Sequence, residues 1–459
     1  MQSSEFNSNL NDRLRNSSGS GARVPILFLN RSNWPDIEAT GQLLSELCED
    51  LAVDYDVAVL AGQPNQNPLN VPFCRAGVER RHGVTIVRVR NTRFAKSSLA
   101  RRASNLLSYL AMAWLRAVRL PRPEIVVVET DPFLLPLLGL WLQYFRGCKL
   151  VVYLQDIYPD VAVALGKVRD GRLVRLLRKL LIGIYCRADR VVVPSEDMKQ
   201  LLVRSGVPED RIECIPNWAD TTRIYPVKHN NAFRLLVAPE ARFVIMYSGN
   251  IGLSQNLETV LTAAELLRDR EDLVFLLVGD GASKQRLELI AAERRLSNVK
   301  FLSYQPKEEL AESLSAADLH LMPIDARVTQ CMMPSKLYGI LASGTPVVAI
   351  APPASEMCRI VDAEQVGLTV PADDAAGLAR AIRWALANPV ELRGMGTRAR
   401  RLAESIYDRR HATRKFSQLL RQLLVGRETE AAGRSAESKL PAVAIFSVPG
   451  EQAACKGIP

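Results

Sequence analysis

Short, almost unbroken runs of Val, Ile and Leu recur along this chain between stretches of helical spacing, and they form two series. The first occupies residues 24–29, 56–60, 84–89, 125–128, 150–154 and 190–193. The second occupies 243–247, 274–278, 299–302, 319–322, 347–350 and 367–370. A strand that alternates apolar with polar residues can leave one face in water, whereas a strand apolar throughout needs cover on both faces. Such strands, separated by helices, predict parallel sheets sandwiched between helical layers. Between the series, residues 215–238 carry Pro216, Asn217 and Pro226 and read as a connector. The predicted fold class is therefore α/β: two Rossmann-like, doubly wound domains, 23–220 and 221–402, facing a cleft. Ligands in such sheets bind outside the carboxyl ends of the strands. A helix at 403–425, repeating Phe416, Leu419, Leu420, Leu423 and Leu424, follows. A disordered lead-in at 1–22 and a loose tail at 426–459 are expected at the two ends.

Lys and Arg number 59 against 49 Asp and Glu, a net charge of +10. Such a surplus asks for an acidic partner: nucleic acid, an anionic membrane face or phosphorylated substrates. No nucleic-acid-binding motif is recognisable and the basic runs lack interleaved aromatics, so nucleic acid is not expected. The arginines gather instead around apolar helical segments. Arg101, Arg102, Arg116, Arg119 and Arg122 hem residues 103–115, which carry Leu107, Tyr109, Trp114 and Leu115. Arg169, Arg172, Arg175 and Arg178 recur every three residues among Leu173, Val174, Leu176 and Leu177. Either face suits an interfacial helix on an anionic membrane, and equally a core helix with a solvated basic rim. The most continuous apolar runs, 103–115 and 132–145, are shorter than the roughly 18 residues of a span, so no transmembrane helix is expected. The 8 cysteines are scattered without a CxxC pair and only 4 histidines accompany them, which leaves no zinc framework. They read as reduced thiols in the cytoplasm, and the polar first 22 residues lack the apolar core of a signal peptide.

Three segments carry candidate chemistry. The loop after the first strand of the second series, YSGNIGLSQN from Tyr247, puts glycines beside Asn250 and Gln255, which can hydrogen-bond a ligand without bringing charge; the same residues also suit a helix-capping turn. In VGDG from Val278, Gly279 and Gly281 end a strand and precede a helix at Ser283 and Lys284, where exposed N–H groups favour a phosphate. A dinucleotide fingerprint would need glycine at 284, which argues against hydride transfer. In PSKLYGILASGTPVV from Pro334, Ser335 reads as an N-cap with Lys336 in the first turn, and Gly344 ends the helix. A lysine at that end opposes the helix dipole, so a bound anion such as a diphosphate is expected to compensate.

These three segments and QDIYPDVAVALG from Gln155, in the family's order and at its spacing, resemble the family 4 glycosyltransferases of the GT-B fold. The likeness is strongest to the bacterial surface-polysaccharide subgroup, including fucosamine- and colanic-acid-type transferases, and runs from about Val24 to Val425. The resemblance implies transfer of a hexosyl or N-acetylhexosaminyl unit from a nucleoside-diphosphate sugar, UDP favoured, with retained configuration and neither metal nor cofactor. The second domain would hold the donor. The first would hold the acceptor, a lipid-linked saccharide at the inner face of the plasma membrane.

Carried over residue by residue, the resemblance places the donor against Ser248, Gly249, Asn250 and Gln255, Gly279 and Gly281, Tyr304, the Pro334, Ser335, Lys336, Leu337 segment and Glu356. Gly41, after the first strand, would approach the diphosphate. Asp156 would accept the acceptor's proton, a role for which a carboxylate within hydrogen-bond reach is the requirement; it also suits an N-cap. The chain departs from the family at five positions. The phosphate-binding arginine and lysine fall on Asn250 and Gln255, and the paired glutamates on Cys331 and Gly339, so Lys336 and Glu356 are the expected substitutes. Gln155 stands where many relatives carry histidine. Two other readings remain: a GT-B-type nucleotide-sugar epimerase, which would want more carboxylates and histidines in the cleft, and a degenerate, non-catalytic transferase partner.

Overall fold

The computed structural model describes residues 23–36, 39–64, 76–92, 94 and 99–437. All the expected strands are present within a residue or so of the predicted bounds. In the first domain they are β1 Pro25–Leu29, β2 Asp56–Ala61, β3 Gly77–Arg81, β4 Val84–Arg88, β5 Ile125–Glu129, β6 Lys149–Tyr153, β7 Arg190–Val193 and β8 Ile212–Cys214. They form an eight-stranded sheet in the order β3-β4-β2-β1-β5-β6-β7-β8, parallel except for the β3–β4 pair. Two of these strands, β3 and β8, have no counterpart in the apolar pattern. β3 reads Gly-Val-Glu-Arg-Arg and both lie at sheet edges, where a strand is open to water and needs no apolar run.

The second domain holds β9 Phe243–Ser248, β10 Leu273–Val278, β11 Val299–Leu302, β12 Leu319–Pro323, β13 Val347–Ile350 and β14 Gly367–Val370. This sheet is wholly parallel in the order β11-β10-β9-β12-β13-β14, the doubly wound Rossmann arrangement. Both sheets are buried on their two faces, as unbroken Val/Ile/Leu strands require. Leu27, Leu29, Val126 and Val128 face the helices Leu99–Ala117, Leu135–Arg146 and Arg172–Tyr185. On the other face Phe28 and Tyr153 meet Phe416, with ring centroids 6.4 Å and 5.5 Å apart.

The chain from 403 onward is not one helix. Pro389–Ser405 and Arg409–Glu437 are separated by Ile406–Asp408, because the connector's backbone lodges there. Ala219 N donates to Tyr407 O at 3.0 Å, Arg409 N to Ala219 O at 3.0 Å, and Thr221 Oγ1 to Asp408 Oδ2 at 2.5 Å. The segment expected as a loose tail from 426 is helical through Glu437. Residues 438–459, the lead-in 1–22, and Ile37 and Glu38 lie outside the described residues. The chain divides into units 1–417, which holds both sheets, and 418–459, which begins within the last helix.

Candidate active site

The second sheet reverses its strand order between β9 and β12, so the segments leaving those two strands part and open a crevice. The segment leaving β9 is the glycine loop. Gly249, Gly279 and Gly281 have φ of +141°, +144° and +154°, open to glycine and rarely to other residues. A Cβ on Gly279 would drive into the Gly249 carbonyl oxygen, and one on Gly281 into the Ile251 carbonyl oxygen. The loops are laced by Gly249 N to Val278 O at 2.9 Å, Ile251 N to Asp280 O at 2.8 Å and Ser283 N to Ile251 O at 3.0 Å.

That lacing revises one expectation. Three N–H groups here are already bonded: Gly279 N to Leu302 O at 2.9 Å, Gly281 N to Asp280 Oδ1 at 2.8 Å and Lys284 N to Gly281 O at 3.1 Å. Lys284 Nζ donates to Gly279 O at 3.0 Å. These glycines therefore serve close packing of two loops, and their own N–H groups are already engaged. Gln255 also turns inward, its Oε1 accepting from Gly252 N at 3.1 Å and its Nε2 donating to Ser254 Oγ at 2.8 Å. Asn250 stays exposed at the loop tip. Ser248 lies half-buried where β9 ends, and Tyr304 OH donates to Asp280 O at 3.3 Å.

The segment leaving β12 ends in the helix Lys336–Ala342 and brings Lys336 back against Gly249, where a Cβ would stand 2.9 Å from Nζ. Nζ donates to Tyr247 OH at 2.5 Å and lies 4.1 Å from the centroid of that ring; Tyr247 OH in turn donates to Asn250 O. Among the described residues no carboxylate pairs with this ammonium. Burial alone pushes its pKa down to about 7, although part of the side chain remains open to solvent. Ser335 does not cap the helix: its own backbone is helical and its hydroxyl makes no capping bond. Pro334 and Ser335 are half-buried, and Leu337 is wholly buried in the core.

Across the domain boundary, Asp156 follows β6. Its main chain pairs with Met332, and Ile157 N donates to Cys331 O at 2.9 Å. This short ladder ties Asp156 to the segment that leads into Lys336. Burial, and then the Asp131 carboxylate, push the Asp156 pKa up to about 6. It is no N-cap, since the helix Asp160–Ala164 begins after Pro159 without a side-chain cap. Gln155 is committed to Asn217, with amide bonds of 2.9 Å and 3.2 Å. Gly41 lies in the first turn of the helix Ala39–Leu51, where a Cβ would stand 3.3 Å from the backbone of Ser32 and Asn33.

The positions of the absent glutamates are set against apolar neighbours. The Cys331 side chain joins the first domain's core, where burial pushes its thiol up to about 12, and a Cβ on Gly339 would meet Leu314 and Ile224. Glu356 is committed across the domain boundary: Asp197 N donates to its carboxylate at 3.0 Å. Burial raises the Glu356 pKa, opposed by that bond.

Sequence reasoning missed the acids around Asp156. Asp131, where the first sheet reverses order between β1 and β5, is clasped by Arg31 at 3.0 Å and 3.1 Å and by Ser32 Oγ at 2.6 Å. Glu129 is wholly buried with neither oxygen bonded, and burial, then Asp131, hold it well above the usual carboxylate range. A polar residue directly ending an apolar strand run was the available signal. Among the described residues no three His, Cys, Asp or Glu side chains are grouped to hold a metal, and no helix is long and apolar enough to cross a membrane.

Comparison with known proteins agrees with this architecture. Residues 39–218 match the glycosyl transferase 4-like domain and residues 229–402 match glycosyl transferases group 1. A probable glycosyltransferase of Pseudomonas aeruginosa, WbjE, is 29% identical over 72% of this chain and 84% of its own. The putative colanic acid biosynthesis glycosyl transferase WcaI of Escherichia coli K12 is 29% identical over 86% of this chain and 98% of its own. Among solved structures, sucrose-phosphate synthase of Thermosynechococcus elongatus shares the fold with a TM-score of 0.73 at 21% identity, covering 88% of this chain and all of that one. Anabaena HepE in complex with UDP-glucose shares it with a TM-score of 0.66 at 15% identity, covering 86% and 99%. Two doubly wound domains, a crevice at the strand-order reversal and these matches across both domains establish that the chain belongs to the family 4 glycosyltransferases, with the GT-B fold.

Proposed function

We propose that this enzyme takes a sugar from a nucleoside-diphosphate sugar, UDP by preference, and passes it to a lipid-linked saccharide in surface polysaccharide assembly. Configuration at the anomeric carbon is retained and no metal takes part. The observation that carries this reading is Lys336, an ammonium placed against Gly249 in the crevice without a carboxylate partner among the described residues. In the reaction the acceptor oxygen bonds the anomeric carbon, the bond from that carbon to the diphosphate oxygen breaks, and negative charge gathers on the leaving group. A fixed cation beside it stabilises the charge as it develops. The proton leaving the acceptor hydroxyl goes to Asp156, whose carboxylate form is available above about pH 6.

UDP as the nucleotide is supported by the HepE complex, retention by the family resemblance, and polysaccharide assembly by the relative named for colanic acid biosynthesis. The lipid-linked acceptor is supported by the surface of the first domain. There Leu173 and Leu176 are exposed beside Arg172 and Arg175 on the helix Arg172–Tyr185. Apolar side chains rimmed by arginine suit an anionic leaflet, at about 1 kcal/mol per basic residue near the surface. The test is incubation with UDP- and GDP-sugars and a membrane extract, with and without EDTA, following nucleotide release and reading the product's anomeric configuration by proton NMR. EDTA-insensitive release of UDP with a retained linkage is expected. No release from any donor, together with no nucleotide binding, refutes the proposal.

A further inference from the structure

Two helices from different domains meet end to end at their N-termini. Glu196–Arg204 follows β7 and Glu356–Ala363 follows β13. Each has its own serine cap: Ser195 Oγ accepts from Met198 N at 3.2 Å and Ser355 Oγ from Cys358 N at 3.4 Å. One further amide of each helix is satisfied crosswise. Glu356 N donates to Asp197 Oδ2 at 2.8 Å, and Asp197 N donates to a Glu356 carboxylate oxygen at 3.0 Å. Arg359 closes the arrangement, pairing with Asp197 Oδ1 at 2.5 Å and donating to the Ala354 carbonyl. Ser195, Asp197 and Ser355 are all buried.

A carboxylate at a helix N-terminus answers unpaired N–H groups and the positive end of the dipole. Here each domain supplies the carboxylate for the other's helix, so both caps exist only while the domains are together. The segment 351–355 leaves the carboxyl end of β13, next to β12 in the sheet and at the same end as the Gly249 loop and Lys336. Its last residues are the ones this arrangement holds, Ala354 through Arg359 and Ser355 through its own cap.

We propose that Asp197 is a positioning residue for sugar transfer. Reaching from the acceptor-side domain, it fixes the 351–355 loop at the donor crevice and does so only in the closed arrangement. The proposal rests on the donor reading given above, and it separates two functions that one carboxylate could otherwise confuse: Glu356 acts through the domain boundary and not on the donor.

The test compares the wild-type chain with D197A, D197N and R359M, reading donor KM and kcat, thermal stability, and the radius of gyration by solution scattering without ligand and with UDP. D197A is expected to raise donor KM about tenfold, the loss of a charge-assisted pair, with kcat within about threefold of wild type. It is also expected to enlarge the radius of gyration of the ligand-free chain. D197N keeps an acceptor for Glu356 N, loses the charge facing Arg359, and is expected to fall between the two. Should D197A fail to fold, D197N and R359M carry the same readouts. Unchanged KM and unchanged scattering in folded variants overturn the proposal. A wild-type chain inert toward every donor refutes the donor reading instead, and the ligand-free scattering of the variants still decides whether Asp197 holds the domains.

Discussion

Lys336 Nζ lies 2.5 Å from the Tyr247 hydroxyl, and the two residues come from opposite sides of the strand-order reversal: Tyr247 from β9, Lys336 from the helix that follows β12. The ammonium also rests on the face of the same ring, an attraction of about 0.5–2 kcal/mol that offsets part of the cost of burying it. What remains is a cation awaiting an anion.

Removing that cation should cost binding and not folding. K336M is expected to raise the dissociation constant for UDP at least tenfold by calorimetric titration, the loss of a charge-assisted hydrogen bond. Its melting temperature should not fall, because an unpaired, partly buried charge is replaced by an apolar chain of similar length.

The lysine also dictates a pH dependence. With its pKa lowered by burial to about 7, the free protein loses the ammonium as pH rises through neutrality, so nucleotide affinity should weaken above about pH 7 and binding should take up protons. Between about 7 and the ordinary lysine value the unfolded chain carries a proton that the folded chain lacks, so Lys336 makes stability rise with pH across that window. Both trends should flatten in K336M, which separates them from the titration of the nucleotide's own phosphate.

For Asp156 the expected signature is a split between binding and turnover. D156N should lower the transfer rate about a hundredfold or more while UDP affinity stays within about twofold, because the amide cannot accept the acceptor's proton. The wild-type rate should fall on the acid side near pH 6, where the carboxylate is lost. Equal loss of binding and rate would assign Asp156 to structure.

Gly279 tests the packing of the loops. G279A sets a Cβ against the Gly249 carbonyl at a φ of +144°, and should cost about 2–3 kcal/mol in denaturant unfolding while weakening nucleotide binding through the displaced loop.

On the outer face of the first domain, L173E with L176E should abolish sedimentation with vesicles containing anionic phospholipid and leave UDP affinity unchanged, since both side chains are exposed and lie on the helix Arg172–Tyr185, outside the crevice. Retained sedimentation removes this surface from the membrane contact.

The layered architecture, the reversal that opens the crevice, the glycines at both turns and the lysine beside them were all legible in the linear chain. Their signals are local: a strand covered on both faces must be apolar along its length, and a backbone at φ near +140° demands glycine where it occurs. Tertiary structure alone decided the partners. Glu356 is a free carboxylate until Asp197, 159 residues away, takes it, and the Gln155 amide is uncommitted until Asn217 occupies both its atoms. The amides of Gly279, Gly281 and Lys284 are open to a phosphate until Leu302, Asp280 and Gly281 bond them, and the helix from 403 runs on until the connector lodges against Asp408. A hydrogen-bonding group spends its capacity on whatever neighbour the fold delivers, and that neighbour leaves no periodic trace in the sequence.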